Sequence, residues 1–468
     1  MSHITIIGGG ITGLAAAFYL QREIKARGAS ASYTLLEAGP RWGGKIVTER
    51  EREFTIEGGP DSFIVEKPAA LQLCHDVGLG DDLIPSNEIE KKVYVLRRGK
   101  LVAFPTGFRL TIPTQLMPFV RSPLVSPWGK LRMAGDLLIP RRREEGDEAL
   151  GAFIRRRFGQ ECLDRIAGPL LGGIFVSDPD RLSMLATFPR LQAMEREYGS
   201  LIRAARAVKH LPRREGPRSA GNAMFNSLRH GVGSLVDRLV KSLEGELRLQ
   251  TAVEAIEWID GKPVVRLAGG AARATDHVIL ATPASHAARL LAQAHPGLAA
   301  QLGSIRYVST ATISLAYLME DIPEERPLDG FGVLIPASEG RALIAITWAS
   351  TKFRHRAPEG CVLLRAFVGG HTNEAMADWP EDQLVAVVRR EFETVLGIRA
   401  DPLFHRVYRW PKANPQYDVG HLDRVATMER DASTLPGLHL AGSSYRGVGM
   451  PDCIQGARAA VERIAALV

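Results

Sequence analysis

Apolar positions open the chain as a short β-branched run, Ile4, Ile6 and Ile7, followed by a turn at residues 8–13 and a helical pattern over residues 14–25. Residues 32–37 read as a second strand, so the chain begins with a βαβ unit and its crossover helix. From Phe104 to Pro140, Pro105, Pro113, Pro118, Pro123, Pro127 and Pro140 interrupt short apolar stretches, which predicts short helices joined by prolines. Residues 148–158 and 161–171 carry helical spacing, and residues 213–218, with Pro212 and Pro217, read as a polar loop. Alternation returns over residues 247–281 and predicts strands with a hairpin at Gly269-Gly270. Residues 311–317, 333–335, 343–348 and 362–368 are expected to be four more strands, and together these could build a second, mixed sheet. The chain ends as it began, with a strand at 439–441, a glycine turn at 442–449 and a helix over 452–467.

A length of 468 residues exceeds one compact core and suits two or three domains. With 45% hydrophobic and 24% charged residues the composition is that of an ordinary globular protein. Lys and Arg exceed Asp and Glu by 59 to 52, with knots at Arg141, Arg142, Arg143 and at Arg155, Arg156, Arg157, and a looser set from Arg203 to Arg218. The excess suits an acidic small molecule, an anionic membrane surface or nucleic acid and does not choose among them. Cys74, Cys162, Cys361 and Cys453 stand far apart with no C-x-x-C pair, which argues against a disulfide framework or zinc site and for a reducing cytoplasm. The first strand begins too early for a signal peptide, and no apolar run spans a bilayer, although peripheral membrane attachment stays open. The histidines make no metal-ligand spacing, and neither a G-x-S-x-G elbow nor a P-loop occurs.

The chemistry lies in the glycine turns. Gly8, Gly10 and Gly13 form a dinucleotide fingerprint. The first glycine permits the turn, the second lets backbone approach a pyrophosphate, and the third lets helix pack on strand. Ile11, Thr12 and Gly13 then offer free N–H groups at a helix start. Glu37 ends the next strand, at the spacing where a carboxylate accepts both ribose hydroxyls. The run from Glu37 through Ala38, Arg41, Gly43, Gly44 and Lys45 extends this in a way typical of FAD rather than NAD proteins, with Arg41 expected near the diphosphate. Gly59, Pro60, Asp61 and Ser62 read as tight backbone beside an isoalloxazine. At the far end Gly442, Gly449, Met450 and Pro451 supply a second glycine turn and helix start, placed to face the flavin. No cysteine precedes Gly442 in a position for a covalent flavin, and Cys453 reads as a packing residue, so FAD is expected to bind non-covalently.

These residues, with Gly59-Pro-Asp-Ser-Phe63, Pro169-Leu-Leu-Gly-Gly-Ile-Phe175, Leu182-Ser-Met-Leu-Ala-Thr-Phe-Pro189, Pro415-Gln-Tyr-Asp-Val-Gly-His421 and Gly447-Val-Gly-Met-Pro-Asp-Cys-Ile454, make the sequence recognisable. It resembles the oxygen-dependent porphyrinogen oxidases, flavoproteins of haem synthesis with a monoamine-oxidase-like fold, over essentially the whole chain. The likeness is nearest to the bacterial coproporphyrinogen III oxidase branch, with protoporphyrinogen oxidase as the alternative. It implies oxidation of a porphyrinogen to a porphyrin in three two-electron rounds, with dioxygen as acceptor and hydrogen peroxide released. The flavin does the chemistry and no catalytic side chain is expected. The resemblance further implies that Leu170 and Gly173 border the macrocycle and that Leu315 and Phe367 pack on its face. Lys67, Lys91 and Lys92 are candidates to hold propionates. Val253 should meet the adenine side, and Trp410 should close over the flavin.

The expected fold class is α/β: a discontinuous Rossmann-like FAD domain (1–62, 214–283 and 405–468), a mixed-sheet substrate domain (63–90, 172–213 and 284–404), and a Pro-rich helical insertion (91–171), a candidate membrane-facing part. The expected partners are a porphyrinogen and dioxygen, with no metal and no nucleic acid; oligomeric state stays open. An amine oxidase or carotenoid desaturase on the same scaffold would want an aromatic cage or an apolar tunnel instead. A non-catalytic binder that had lost FAD would not keep the glycine turns.

Overall fold

The opening βαβ unit follows its hydrophobic pattern closely. In the computed structural model, which describes residues 2–105, 108–109, 112–113, 116–209, 223–326 and 328–467, strand Ser2–Ile7 leads into helix Ile11–Arg27 and strand Ala31–Leu36. The helix buries Thr12 to Gln21 and stops at Gly28, whose φ of +61° suits a residue without Cβ, with Lys25 and Arg27 in its last turn. Strand Ser2–Ile7 lies at the centre of a parallel sheet in the order Glu246–Arg248, Ala31–Leu36, Ser2–Ile7, His277–Leu280, Leu438–Leu440. Burial of Ile4 and Ile6 on this sheet is complete. The terminal helix Met450–Ala465 packs beside the first helix through Ile454, Ala457, Val461 and Ile464. The two ends of the chain therefore share one core.

The second sheet is mixed and seven-stranded: Phe404–Pro415, Tyr307–Leu318, Cys361–Gly369, Ala345–Trp348, Gly330–Leu334, Lys92–Arg97, Lys100–Ala103. One face packs on helix Glu381–Leu396, with Ile313, Leu315 and Tyr317 against Val388, Phe392 and Val395. The other face turns toward the Gly58 segment. Around Phe153, Ile154, Phe158 and Met184 the helical region has its own apolar core, tied by Arg157 and Asp136, both fully buried, whose Nε–Oδ1 distance is 2.5 Å.

The α/β class holds, but two boundaries move. Residues 92–103 are not helical: Arg98 and Gly99, both with positive φ, make a two-residue hairpin turn that returns the chain as an edge strand of the mixed sheet. Phe404–Pro415 pairs along Tyr307–Leu318 and so belongs to the mixed sheet, not to the cofactor domain. Glu246–Arg248 and His277–Leu280 complete the parallel sheet, while Val253–Ile259, Lys262–Leu267 and Ala272–Ala274 form a small antiparallel sheet with the Gly269-Gly270 turn between its last two strands. Helix 161–171 is longer and contains a π-turn at Leu163–Ala167 before Gly168–Phe175. The polar loop at 212–218 and Thr106-Gly107 lie outside the described residues.

Candidate cofactor and active site

The three glycines of the first turn are there for different reasons. Gly8 has a φ of +112°, and a Cβ there would sit 2.8 Å from the Ala281 carbonyl oxygen; a Cβ on Gly13 would sit 1.9 Å from the Gly8 oxygen. The fold itself requires both. Gly10 is unstrained, and a Cβ on it would meet nothing closer than Gly44 Cα at 4.0 Å. The protein leaves open space beside the one glycine that a pyrophosphate would approach. Gly10 is also the N-cap of helix Ile11–Arg27, has no side chain to cap with, and is followed by no acidic residue in the first turn. Free N–H groups and the positive helix end therefore face that space.

Glu37 lies next to it. Its carboxylate accepts from Gly9 N–H and Gly39 N–H at 2.7 Å each, one bond per oxygen, which leaves acceptor capacity for two ribose hydroxyls. Thr251 N–H donates to the Glu37 carbonyl, which brings the start of strand Val253–Ile259 to this end of the site. Ala38 is exposed beside it.

The next glycine pair packs backbone to backbone on the first: Gly43 N–H donates to Gly9 O at 2.8 Å, and Gly44, with φ +55°, would place a Cβ 3.1 Å from Gly10 Cα. Arg41 is a staple for its own loop, donating to the carbonyls of Trp42, Gly44 and Ile46. Lys45 donates to the Ala413 carbonyl; its side chain is solvent-accessible, yet the protein around the ammonium lowers its pKa, against a weaker opposing effect of Cys453.

Segment 58–62 is held by residues of the mixed sheet. The Gly58 carbonyl accepts from Thr312 Oγ1 (2.9 Å), Arg365 Nη2 (2.9 Å) and Trp410 Nε1 (3.0 Å), and the Gly59 carbonyl from Arg365 Nη2 at 2.6 Å. A Cβ on Gly59 would lie 1.8 Å from the Lys45 oxygen. Pro60 is half-buried. Asp61 pairs with Lys352 at 3.0 Å and accepts from Ser62 Oγ at 2.6 Å. Burial pushes its carboxyl up, but Lys352 and Arg365 outweigh that and hold it well below the usual range.

At the C-terminal turn Gly442 has a φ of +127°, and its nearest neighbour for a Cβ is Thr12 Oγ1 at 3.8 Å, so the two glycine turns adjoin with open space at both. Tyr417 OH donates to the Ser443 carbonyl (2.7 Å) and accepts from Gly447 N–H (2.8 Å). Gly449 caps helix Met450–Ala465, with Pro451 in its first turn. Cys453 is buried with its thiol pushed up to about 11 by that burial, in keeping with packing.

The substrate-side residues do not all converge. Phe367 stands opposite Thr312 across the ladder and therefore shares the face that holds Gly58, with the Arg365 guanidinium 4.8 Å from its ring centre. Leu315 points to the other face, fully buried against the helix Glu381–Leu396. The reason is parity: three positions from Thr312 reverses the side-chain direction on a strand. Gly173 is exposed on helix Gly168–Phe175, where a Cβ would lie 3.3 Å from Leu334 Cδ2, and Leu170 is half-buried one turn earlier. Lys67 is paired with Asp452 at 2.7 Å, Lys91 with Glu88 at 3.1 Å, and Lys92 with Asp329, which also accepts from Tyr94 OH. Sequence reasoning missed Arg365, Lys352, Thr312 and Tyr417. Tyr417 lies in a motif quoted above, and Arg365 in the further segment Leu364-Arg-Ala-Phe-Val-Gly369 that carries the resemblance, both without a role; Thr312 and Lys352 carry no local signal because they reach the site from a separate strand and a short helix.

Residues 11–465 match the family described as flavin-containing amine oxidoreductase. The chain belongs to that family. Like the two ends of the glycine site, with the Glu37 carboxylate beside the first helix start and a second helix start at Met450, membership makes FAD the cofactor of this oxidoreductase. Among relatives, coproporphyrinogen III oxidase of Bacillus subtilis (strain 168) is 36% identical over 461 residues, 98% of this chain and 97% of its own. Protoporphyrinogen oxidase 1, chloroplastic, of Arabidopsis thaliana is 31% identical, covering 97% of this chain and 86% of its own. A solved structure described as a putative protoporphyrinogen oxidase from Exiguobacterium sp. 255-15 is 34% identical with a TM-score of 0.88, covering 100% of this chain and 99% of its own. A putrescine oxidase variant at 15% identity and a TM-score of 0.72 shares the fold of this flavin-containing oxidoreductase.

Proposed function

We propose that this flavoenzyme oxidises a porphyrinogen to the corresponding porphyrin in haem synthesis, with coproporphyrinogen III as the favoured substrate. What carries the reading is the 36% identity to a coproporphyrinogen III oxidase over 98% of this chain, with both glycine turns intact around open space. When bound, FAD supplies the acceptor for three successive hydrides and returns the six electrons to three dioxygen molecules as three hydrogen peroxide. The protein's own part is positioning. Segment 58–62, pinned from the mixed sheet by Thr312, Arg365 and Trp410, fixes one wall; Phe367 on the same sheet face and Leu170 and Gly173 across from it would border the macrocycle. A proton leaves with each hydride, so that over the three rounds the macrocycle loses four meso hydrogens and two pyrrole N–H hydrogens, and no side chain is assigned to these protons. The test is an anaerobic mixture of the holoenzyme with coproporphyrinogen III or, separately, protoporphyrinogen IX. Bleaching of the flavin band, reversed by air with porphyrin fluorescence, is expected, faster with the first; a yellow protein bleached by neither overturns the reading.

We also propose a peripheral contact with an anionic membrane. Among the described residues no helix is long and apolar enough to cross a membrane. However, Trp128 and Leu131 on helix Pro127–Ala134, and Leu138 beyond it, are 80%, 63% and 88% exposed, with Arg121, Lys130 and Arg141 nearby in the chain. Apolar anchors among basic residues match an anionic interface. Trp128→Glu should abolish cosedimentation with phosphatidylglycerol vesicles while leaving turnover in solution unchanged; unaltered cosedimentation refutes the contact.

A further inference from the structure

Asp147, just ahead of helix Leu150–Phe158, meets four hydrogen-bond donors. Its Oδ1 accepts from Glu148 N–H at 2.9 Å and Leu185 N–H at 3.0 Å. Its Oδ2 accepts from Ser183 Oγ at 2.6 Å and from Gly420 N–H at 2.8 Å. Only a carboxylate suits that place, since both oxygens accept twice and a carboxamide would turn an NH2 group toward one pair of donors. Bonds to an ionised acceptor are also the stronger ones.

These bonds reach from the helical region to residues 417–421. Ser183 N–H donates to the Tyr417 carbonyl at 2.7 Å and Val419 N–H to the Arg181 carbonyl at 2.8 Å, while Arg181 pairs with Asp418 at 2.9 Å. The other side of the same segment carries the glycine turn at 442–449. Tyr417 holds Ser443 and Gly447 through its hydroxyl, and His421 holds the Tyr445 carbonyl. Tyr417 is buried in the apolar core of the helical region, and Val448 of the turn packs on that core. A turn rich in glycine has the most backbone freedom to lose, so its order depends on what grips it.

We propose that Asp147 is a positioning residue for the cofactor: through Ser183 and Gly420 it seats Tyr417 and His421, and these seat the turn at 442–449 for FAD. The proposal rests on reading that turn as a cofactor contact and is independent of the substrate. FAD titration of the Asp147→Asn apoprotein should give a Kd raised about tenfold. The visible circular dichroism of its bound flavin should also change, which a loss of overall stability alone would not produce. Ser126→Ala is the control. It removes the N-cap of helix Pro127–Ala134, whose bonds go to Gly129 and Glu161, and should lower the urea midpoint with the Kd unmoved. Asp147→Asn combined with Tyr417→Phe should fall well short of the roughly hundredfold rise that two independent tenfold losses give. If Asp147→Asn does not fold, Ser183→Ala removes one of the four donors and should raise the Kd about threefold. A Kd that rises for Tyr417→Phe but not for Asp147→Asn overturns the coupling, and one unmoved by both overturns the turn as a cofactor contact as well. A double variant at the full product, or a Ser126→Ala protein whose Kd rises as far, leaves Asp147 a structural role only and also overturns the proposal.

Discussion

Tyr417 lies flat on His421, with ring centres 3.9 Å apart and planes within 14°, and each side chain grips the glycine turn at 442–449. Tyr417 holds Ser443 and Gly447 by its hydroxyl, and His421 Nε2–H donates to the Tyr445 carbonyl at 2.8 Å. The pair fixes a turn whose glycines cannot fix themselves. Tyr417→Phe keeps the stack and removes both hydroxyl bonds, at a cost of about 1–3 kcal/mol to the ordered turn. FAD titration of the apoprotein should show a Kd raised by about tenfold, and an unchanged Kd would separate the turn from cofactor binding.

His421 also makes the fold acid-sensitive. Burial pushes it from 6.5 down to about 4, so it is neutral in the native state. A base whose folded pKa lies below its unfolded value contributes fully above about pH 6.5, and that contribution is lost as pH falls toward 4. At most about 3 kcal/mol is involved, and His439, also pushed down to about 4 by burial, adds in the same direction. Urea midpoints should therefore fall between pH 6.5 and 4, and His421→Gln should flatten part of that fall. Parallel curves for the parent and the variant would assign the acid response elsewhere.

Gly10 and Gly13 separate binding from folding. Gly10→Val meets no protein atom at contact distance on its first carbon and should give a folded, colourless protein, because the added carbons occupy the pyrophosphate space. Gly13→Ala drives a carbon to 1.9 Å from the Gly8 oxygen and should yield little folded protein. Circular dichroism with the visible flavin spectrum distinguishes the two; a yellow Gly10→Val protein would falsify the assignment of that space to the cofactor.

Lys67 and Lys92 each already hold a carboxylate of this chain, Asp452 and Asp329. A substrate propionate would have to compete with those pairs, and exposed pairs of this kind are worth roughly 0–1 kcal/mol. The double variant Lys67→Met, Lys92→Met is expected to change KM for coproporphyrinogen III by less than about threefold, since 1.4 kcal/mol would be needed for ten. A tenfold rise would mean that both lysines leave their partners for the substrate.

The two glycine turns of the candidate site were legible because their signals are local. A strand, a glycine turn and a helix start are contiguous in sequence, so Gly8, Gly10, Gly13, Glu37 and Gly442 could be read with their structural context. The groups that fix segment 58–62 come from Thr312, Lys352, Arg365 and Trp410, on three strands and one short helix, and only the sheet register brings them together. The displaced domain boundaries have the same origin. Residues 92–103 and 404–415 carry strand patterns, but which sheet they join depends on long-range pairing that no local period records.

Parity on one strand supplies the sharpest contrast. Leu315 and Phe367 were both expected on the macrocycle face, yet Thr312 pairs with Phe367 while Leu315, three residues on, lies fully buried against Val388 and Phe392. Leu315→Ala should therefore cost about 2–5 kcal/mol of stability, as a core truncation does, with KM for coproporphyrinogen III unmoved in the protein that remains folded. Phe367→Ala removes a half-buried ring on the site face and should cost less stability but raise KM several-fold or lower kcat. Urea denaturation and steady-state kinetics on the two variants give the answer together. If Leu315→Ala raises KM at unchanged stability, the strand faces the site in the opposite sense from the one its hydrogen bonds to Gly58 dictate.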